Sequence, residues 1–231
     1  MDGSEDTTGA IAKAVTSVAD LSGKVLDFIS KVGGEPAEQA GGMLADRIVV
    51  SRWLKRVDYV DRVNKVIQER GLGQPKVVAP KFVLPMIERA SLEDDEDLQK
   101  RWVDMLANAM DPQSNISLQT SFVEILNGLT SLDVRFLDLA FQAIEQQHIT
   151  PDKLLETYVL KDKLMLDLNI NETQYAISVF NLFRSGCMSP GVYTSTGATI
   201  DGMLMTTYLG TQQICLTPLG YEFARSVQPK L

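Results

Sequence analysis

The sequence predicts a mainly α fold: an N-terminal helical bundle, then a winged-helix-like module with a small two-stranded antiparallel ribbon. Three observations point there. Apolar residues recur at helical spacing through most of the chain. Gly and Pro fall at the ends of those stretches, where helices stop and start. Only residues 187–216, rich in Gly, Thr and Ser, read as strands. Aromatics are sparse at 7%, while Ala, Leu, Val and Met abound, a mix that suits helices. Residues 1–8 read as a flexible acidic tail, 9–115 as the bundle and 116–231 as the winged-helix-like domain.

In the bundle, Ile11, Val18, Val25 and Val32 recur every seven residues beside Ala14, Leu21 and Phe28, an amphipathic helix ended by Gly33-Gly34. Its apolar face reads as core, with an oligomer seam or a membrane-surface helix as alternatives. Glu35-Pro36 opens a second helix that runs to Glu69 or Arg70, where Gly71 stops it, and Gly41-Gly42 either divides it or allows close packing. Met43, Leu44, Ile48, Trp53, Val57, Val60 and Ile67 form its apolar side. Residues 47–81 hold nine Lys or Arg against three acids. Their scattered helical angles favour a solvated face with partners inside the molecule over a nucleic-acid stripe. Arg52, Lys55, Arg56, Arg62 and Lys65 are the candidates for contact with an anionic surface.

Pro80 starts a short helix in "PKFVLPMIERAS", and Pro85 restricts it. Five consecutive acids, Glu93 to Asp97, then lead into a helix that Asp111-Pro112 closes. Asp94 or Asp95 is its cap, with Glu96 and Asp97 in the first turn and Leu98, Trp102, Met105, Leu106 and Ala109 inward. The polar stretch "DPQSNISLQ" is the boundary between domains.

Beyond it, Phe122 to Gly128 precede "SLDVRFLDLAFQAI", a helix with Ser131 as cap and Leu132, Phe136, Leu139 and Ala143 at helical spacing. "ITPDKLLETYVL" repeats the helix-start pattern, with Thr150 as cap and Pro151 at the first position. Asn171 to Arg184 is the next helix, with Tyr175, Val179, Leu182 and Phe183 inward and Gly186 as stop. "MLMTTYL" and "QQICL" are the two strands of the ribbon, and "TPLGYEFARSV" is a capped final helix with Leu219, Phe223 and Val227 on one face.

Composition narrows the function. A net charge of −8 opposes non-specific nucleic-acid binding. Two cysteines, Cys187 and Cys215, make no disulfide framework and no metal spacing, and their apolar flanks mark them as buried thiols. With no secretion signal and no apolar run near the roughly 20 residues of a membrane-spanning helix, a cytoplasmic protein is expected. The acids do not make a calcium loop, because Gln99 and Lys100 fall where an oxygen ligand and the turn glycine belong. His148 is the single histidine, and neither a nucleophile elbow nor a phosphate loop accompanies it. No catalytic, cofactor or metal residue is therefore assigned, and a non-enzyme is expected. Arg184 is the only base between Asn169 and Ala224, which leaves a DNA-reading surface without phosphate contacts.

Three stretches carry a family resemblance: "LPMIERASLEDDEDLQKRWVDMLANAMDP" at 84–112, "ISVFNLFRSGCM" at 177–188 and "LTPLGYEFARS" at 216–226. The chain resembles the abortive infection alpha family over about residues 36–227. The matching residues in the first stretch include Ser91, Leu92, Glu93, Asp95, Leu98, Trp102, Leu106 and Asn108. In the other two they are Asn181, Arg184, Gly186, Thr217 and Gly220, while Ser185 and Cys187 depart from the aliphatics expected there. All are read as structural.

The resemblance implies bacterial anti-phage defence of the abortive-infection type and brings no catalytic residues. Joined to the missing catalytic apparatus, it leads to a non-enzymatic protein acting through contacts with a phage or defence-system component, with homo-oligomers an open arrangement. A membrane-active effector and a winged-helix DNA-binding regulator are the alternatives.

Overall fold

A computed structural model describes residues 23–25, 27, 28, 31, 50–200, 203–208 and 212–229. The tail expected at 1–8, the stop expected at Gly33-Gly34 and the helix start expected at Glu35-Pro36 lie outside the described residues, as does most of the heptad stretch. Within that stretch the described positions 23–25, 27, 28 and 31 are helical, and Val25 and Phe28 are buried. The chain divides into two compact units, residues 1–123 with 229–231, and residues 124–228.

The first unit is helical. Helix α1 (Val50–Glu69), α2 (Pro80–Ala90) and α3 (Glu96–Met110) pack against one another in all three pairings. Val57, Tyr59, Val60 and Val63 of α1 meet a core made by Val83, Met86 and Ile87 of α2 and by Leu98, Trp102, Met105 and Leu106 of α3. Gly71 ends α1 in the left-handed region at φ 63°. Its N–H donates to the Gln68 carbonyl and that of Leu72 to the Ile67 carbonyl, the paired bonds of a glycine C-cap. Pro85 does not end α2, which continues to Ala90 because Met86, Ile87 and Ala90 are buried there. From Trp102 through Asp111 every residue is buried, so α3 is enclosed on all its faces from Trp102 onward. Helix α4 (Thr120–Asn127) spans the division between the units.

The second unit is mainly helical with a three-stranded antiparallel sheet. Helix α5 (Ser131–Gln146) is followed by a 3-10 turn (Pro151–Glu156), strand β1 (Tyr158–Leu160), α6 (Lys161–Leu168) and α7 (Glu172–Arg184). Strands β2 (Met188–Pro190), β3 (Val192–Ile200), β4 (Met203–Tyr208) and β5 (Gln213–Leu216) precede α8 (Pro218–Val227). The sheet order is β1-β5-β2, with Val159 opposite Ile214 and Ser189 opposite Cys215. Val134, Phe136 and Ile144 of α5, Val179 and Leu182 of α7, Ile214 of β5 and Phe223 of α8 are buried.

Four expectations change here. The stretch after Thr150 is not an α-helix: a 3-10 turn leads into β1, whose β-branched and aromatic residues complete the sheet, and α6 follows directly. "MLMTTYL" and "QQICL" both form strands but not with each other. β4 pairs with β3 in a separate ribbon, with Ile200 opposite Met203. The cap of α5 is Thr130, one residue before Ser131. The Thr130 hydroxyl accepts from the Asp133 N–H at 3.3 Å, and the Asp133 carboxylate accepts from the Thr130 N–H at 2.8 Å. Leu219 on α8 stays 36% exposed, while Phe223 and Val227 are buried.

The start of α8 fixes one glycine. A Cβ at Gly220 would lie 2.0 Å from the Cys187 carbonyl oxygen. Gly220→Ala is therefore expected to destabilise the protein by about 3 kcal/mol or more, read as a loss in thermal or urea unfolding.

Candidate functional site

The family residues fall into two polar clusters, one in each unit. In the first, the acid run wraps the N-terminus of α3. Asp95 is the cap, its carboxylate accepting from the N–H groups of Asp97 at 2.9 Å and Leu98 at 3.1 Å. The Glu93 carboxylate accepts from the N–H groups of Asp94 and Asp95, each at 3.0 Å, and its carbonyl accepts from the Gln99 amide at 2.8 Å. Ser91 is buried and donates to the Glu88 carbonyl at 2.7 Å, while Leu92 is exposed. Asp94 pairs with Lys55 of α1 at 2.5 Å on the surface. Among the described residues no three Asp, Glu, His or Cys converge as metal ligands. Beside these acids the cavity bordered by Lys55, Tyr59, Arg62 and Glu93 measures about 30 Å³, about the volume of one water.

Deeper in the same unit, Arg70 at the end of α1 reaches two residues on α3. Its guanidinium donates to the Asp104 carboxylate and to the Asn108 side-chain oxygen, both at 2.7 Å. The side chains of Arg70 and Asp104 are 14% and 4% exposed, so this pair stands out of water. Burial pushes the Asp104 carboxyl above its ordinary value, and the charges of Arg70, Lys100 and Arg101 pull it back. The buried Tyr59 hydroxyl, whose own value burial raises, donates to the Trp102 carbonyl at 3.0 Å. Leu98, Trp102 and Leu106 are buried around this clasp. Arg70 and Asp104 did not stand out in the sequence, where Arg70 was one base among nine. The available signal was Asp104 and Asn108, two polar residues one turn apart on an otherwise apolar helix.

The five bases considered for an anionic surface are not alike. Arg62 pairs with Asp58 at 2.8 Å, Lys65 with Glu69 at 3.8 Å and Lys55 with Asp94, all on the surface, whereas Arg56 is buried. Arg52 lies in α1.

In the second unit Asn181 of α7 is the hub. Its amide donates to the buried Asp133 carboxylate at 2.6 Å and to the Gly128 carbonyl at 3.2 Å. Its oxygen accepts from Arg184 at 2.5 Å. This ties α7 to the start of α5, beneath the Thr130 cap. Gly186, at φ 75°, ends α7, and its carbonyl accepts from the Thr217 hydroxyl at 2.6 Å. The same hydroxyl accepts from the Gly220 N–H at 2.9 Å and so caps α8. Cys187 and Cys215 are free and buried, and burial pushes both thiols up to about 11, which keeps them protonated at neutral pH. His148 takes a left-handed conformation, φ 53°, just past α5. Its N–H donates to the Glu145 carbonyl, and that of Ile149 to Ile144, a helix stop of the kind glycine usually provides.

The family model described as abortive infection alpha matches residues 52–227. Among curated proteins and among solved structures nothing matches.

Two stability predictions follow from the α3 cluster. Asp95→Ala removes a cap and is expected to cost about 1 kcal/mol, whereas Lys55→Ala, on an exposed pair, leaves unfolding nearly unchanged. Arg70→Ala strands the Asp104 carboxylate and should cost about 3–5 kcal/mol near neutral pH. Because the folded-state value of Asp104 lies above the unfolded one, the folded state holds the extra proton between them, and stability falls as pH rises through that window. Removing Arg70 raises the value further, so urea unfolding should show a smaller deficit at about pH 5 than at about pH 8.

Proposed function

Because the chain belongs to the abortive infection alpha family, we propose that it serves abortive-infection-type defence against phage, without catalysis, through contacts with a phage or defence-system protein. The family match over residues 52–227 carries this reading. The bonding of the two clusters supports a structural role for the family residues, since their polar groups hold helix ends and helix pairs together. In the second unit, the helix–strand–helix–helix order before β2 and the β1-β5-β2 sheet support a winged-helix-like module.

The outer face of α7 favours protein over DNA as its partner. Ile177 and Phe180 are 66% and 61% exposed, and the base on this helix, Arg184, is bonded to Asn181. DNA-reading helices expose Lys and Arg for phosphates and base edges, while exposed aliphatic and aromatic groups suit a protein interface. For the membrane alternative, no helix among the described residues is long and apolar enough to cross a bilayer. Lys55, Arg62 and Lys65 each have an acid within ion-pair distance.

Cells carrying the gene should plate at least some phages less efficiently than cells without it. Equal plating across a diverse panel contradicts the defence role. The double substitution Ile177→Asp with Phe180→Asp should change stability by no more than about 0.5 kcal/mol per site, as exposed positions do, yet abolish that protection. A folded double variant that protects fully removes α7 as the contact face, and a low-salt gel shift by the wild-type protein would return the DNA reading.

A further inference from the structure

The second unit holds a cavity of about 200 Å³ between α5 and α6, away from both clusters of family residues. Its floor is apolar: Val159 and Leu164 are buried, and Leu139 and Ala143 are half-buried. Its rim is polar, with Gln142 and Gln146 on α5 facing Lys163 and Asp167 on α6. The spacing explains the grouping. Residues 139, 142, 143 and 146 share one face of α5, and residues 163, 164 and 167 one face of α6.

None of the four rim side chains makes a hydrogen bond or ion pair with another described residue. All four are exposed, whereas Lys55, Arg62, Lys65 and Arg70 each lie on an acid. Lys163 and Asp167 are one helical turn apart, a separation at which opposite charges commonly pair, and they do not. Leu160 and Leu166, 52% and 80% exposed, extend the apolar surface beside them.

We propose that this groove docks a short peptide segment of a partner protein, which inserts one leucine-sized aliphatic side chain and carries an acid and a base beside it. The volume sets the anchor: pockets for drug-sized ligands run to roughly 300–1,000 Å³, and this one suits a single side chain on an apolar floor. The rim sets the rest. A glutamine amide both donates and accepts, which matches the N–H and C=O of a peptide main chain. Lys163 and Asp167 complement one acid and one base, whereas a simple anion or cation is opposed by one of the two. The inference deepens the protein-contact reading by giving it a site, and its test does not use phage. Failure of the groove leaves contact through α7 standing, and failure of phage protection leaves the groove standing.

The test is a two-dimensional NMR titration of the isotope-labelled full chain with N-acetylated, C-amidated Glu-Leu-Lys at millimolar concentration. Saturable shifts are expected at Ala143, Val159 and Leu164, with the Glu-Ala-Lys peptide at least roughly tenfold weaker. Ala143→Trp fills the groove and should abolish the shifts. Lys163→Glu, an exposed change that leaves the floor intact, should move the preference from Glu-Leu-Lys to Lys-Leu-Lys, and this arm decides the matter if the tryptophan variant does not fold. The proposal is overturned by absence of saturable shifts, by equal binding of the alanine peptide, or by an unchanged charge preference in Lys163→Glu. Free leucine binding as tightly as the peptide would mark a small-molecule site instead. Shifts that grow with protein concentration alone would mark a second copy as the occupant.

Discussion

A charge removed from water must find its counter-charge, and in the first unit that requirement falls on Arg70. Its guanidinium stands at the end of α1 and meets Asp104 and Asn108 on the part of α3 that is enclosed on all faces. An apolar helix surface alone tolerates small slips in register, because dispersion and burial have little direction. A planar donor fork on a carboxylate and an amide one turn apart does not. The clasp therefore sets how far α1 extends along α3, and it places Tyr59 under the Trp102 carbonyl. At the other end of α3, Asp95 occupies N–H groups that the first turn leaves without partners, and Glu93 holds the N–H groups of the two residues just before it.

The second unit meets the same requirement with less charge. Asp133 is buried, yet one of its carboxylate oxygens accepts both from its own helix cap and from Asn181. Thr217 does comparable work with one hydroxyl, which closes the end of α7 and opens α8. Gly220 is small because the Cys187 carbonyl lies where a side chain would begin. These bonds account for the family phrases around Asn181 and Thr217 as joints between elements. They leave Ile177, Phe180 and the groove rim toward solvent.

Much of this was legible in the sequence wherever the cause is local. The stops at Gly71 and Gly186 and the proline-led start of α2 each depend on a few neighbouring residues and stand where the pattern put them; of the two caps offered for α3, Asp95 is the one used, and the helix expected from Asn171 begins one residue later with Asn171 as its cap. The losses have long-range causes. β1 is three residues whose strand character comes from pairing with β5, more than 50 residues later, and a helix-start pattern precedes it. The partner of β4 could not be chosen from composition, because β3 and β5 both qualify as strands. Arg70 resembled its neighbours in a basic stretch, and only the approach of α3, with Asp104 34 residues on, distinguishes it. The groove joins three segments and has no motif.

The central claim is that the buried polar bonds, the clasp of Arg70 on Asp104 and Asn108 foremost, build the fold and that the contacts for function lie elsewhere. It is tested most directly by replacing the clasp with apolar groups, Arg70→Met together with Asp104→Ala, and measuring unfolding and phage protection on the same variant. The double change leaves neither a buried guanidinium nor a buried carboxylate without its partner, so its stability should exceed that of either single variant, with a coupling of about 0.5–3 kcal/mol, and protection should persist. A double variant that unfolds as the wild type does and yet fails to protect would contradict the account.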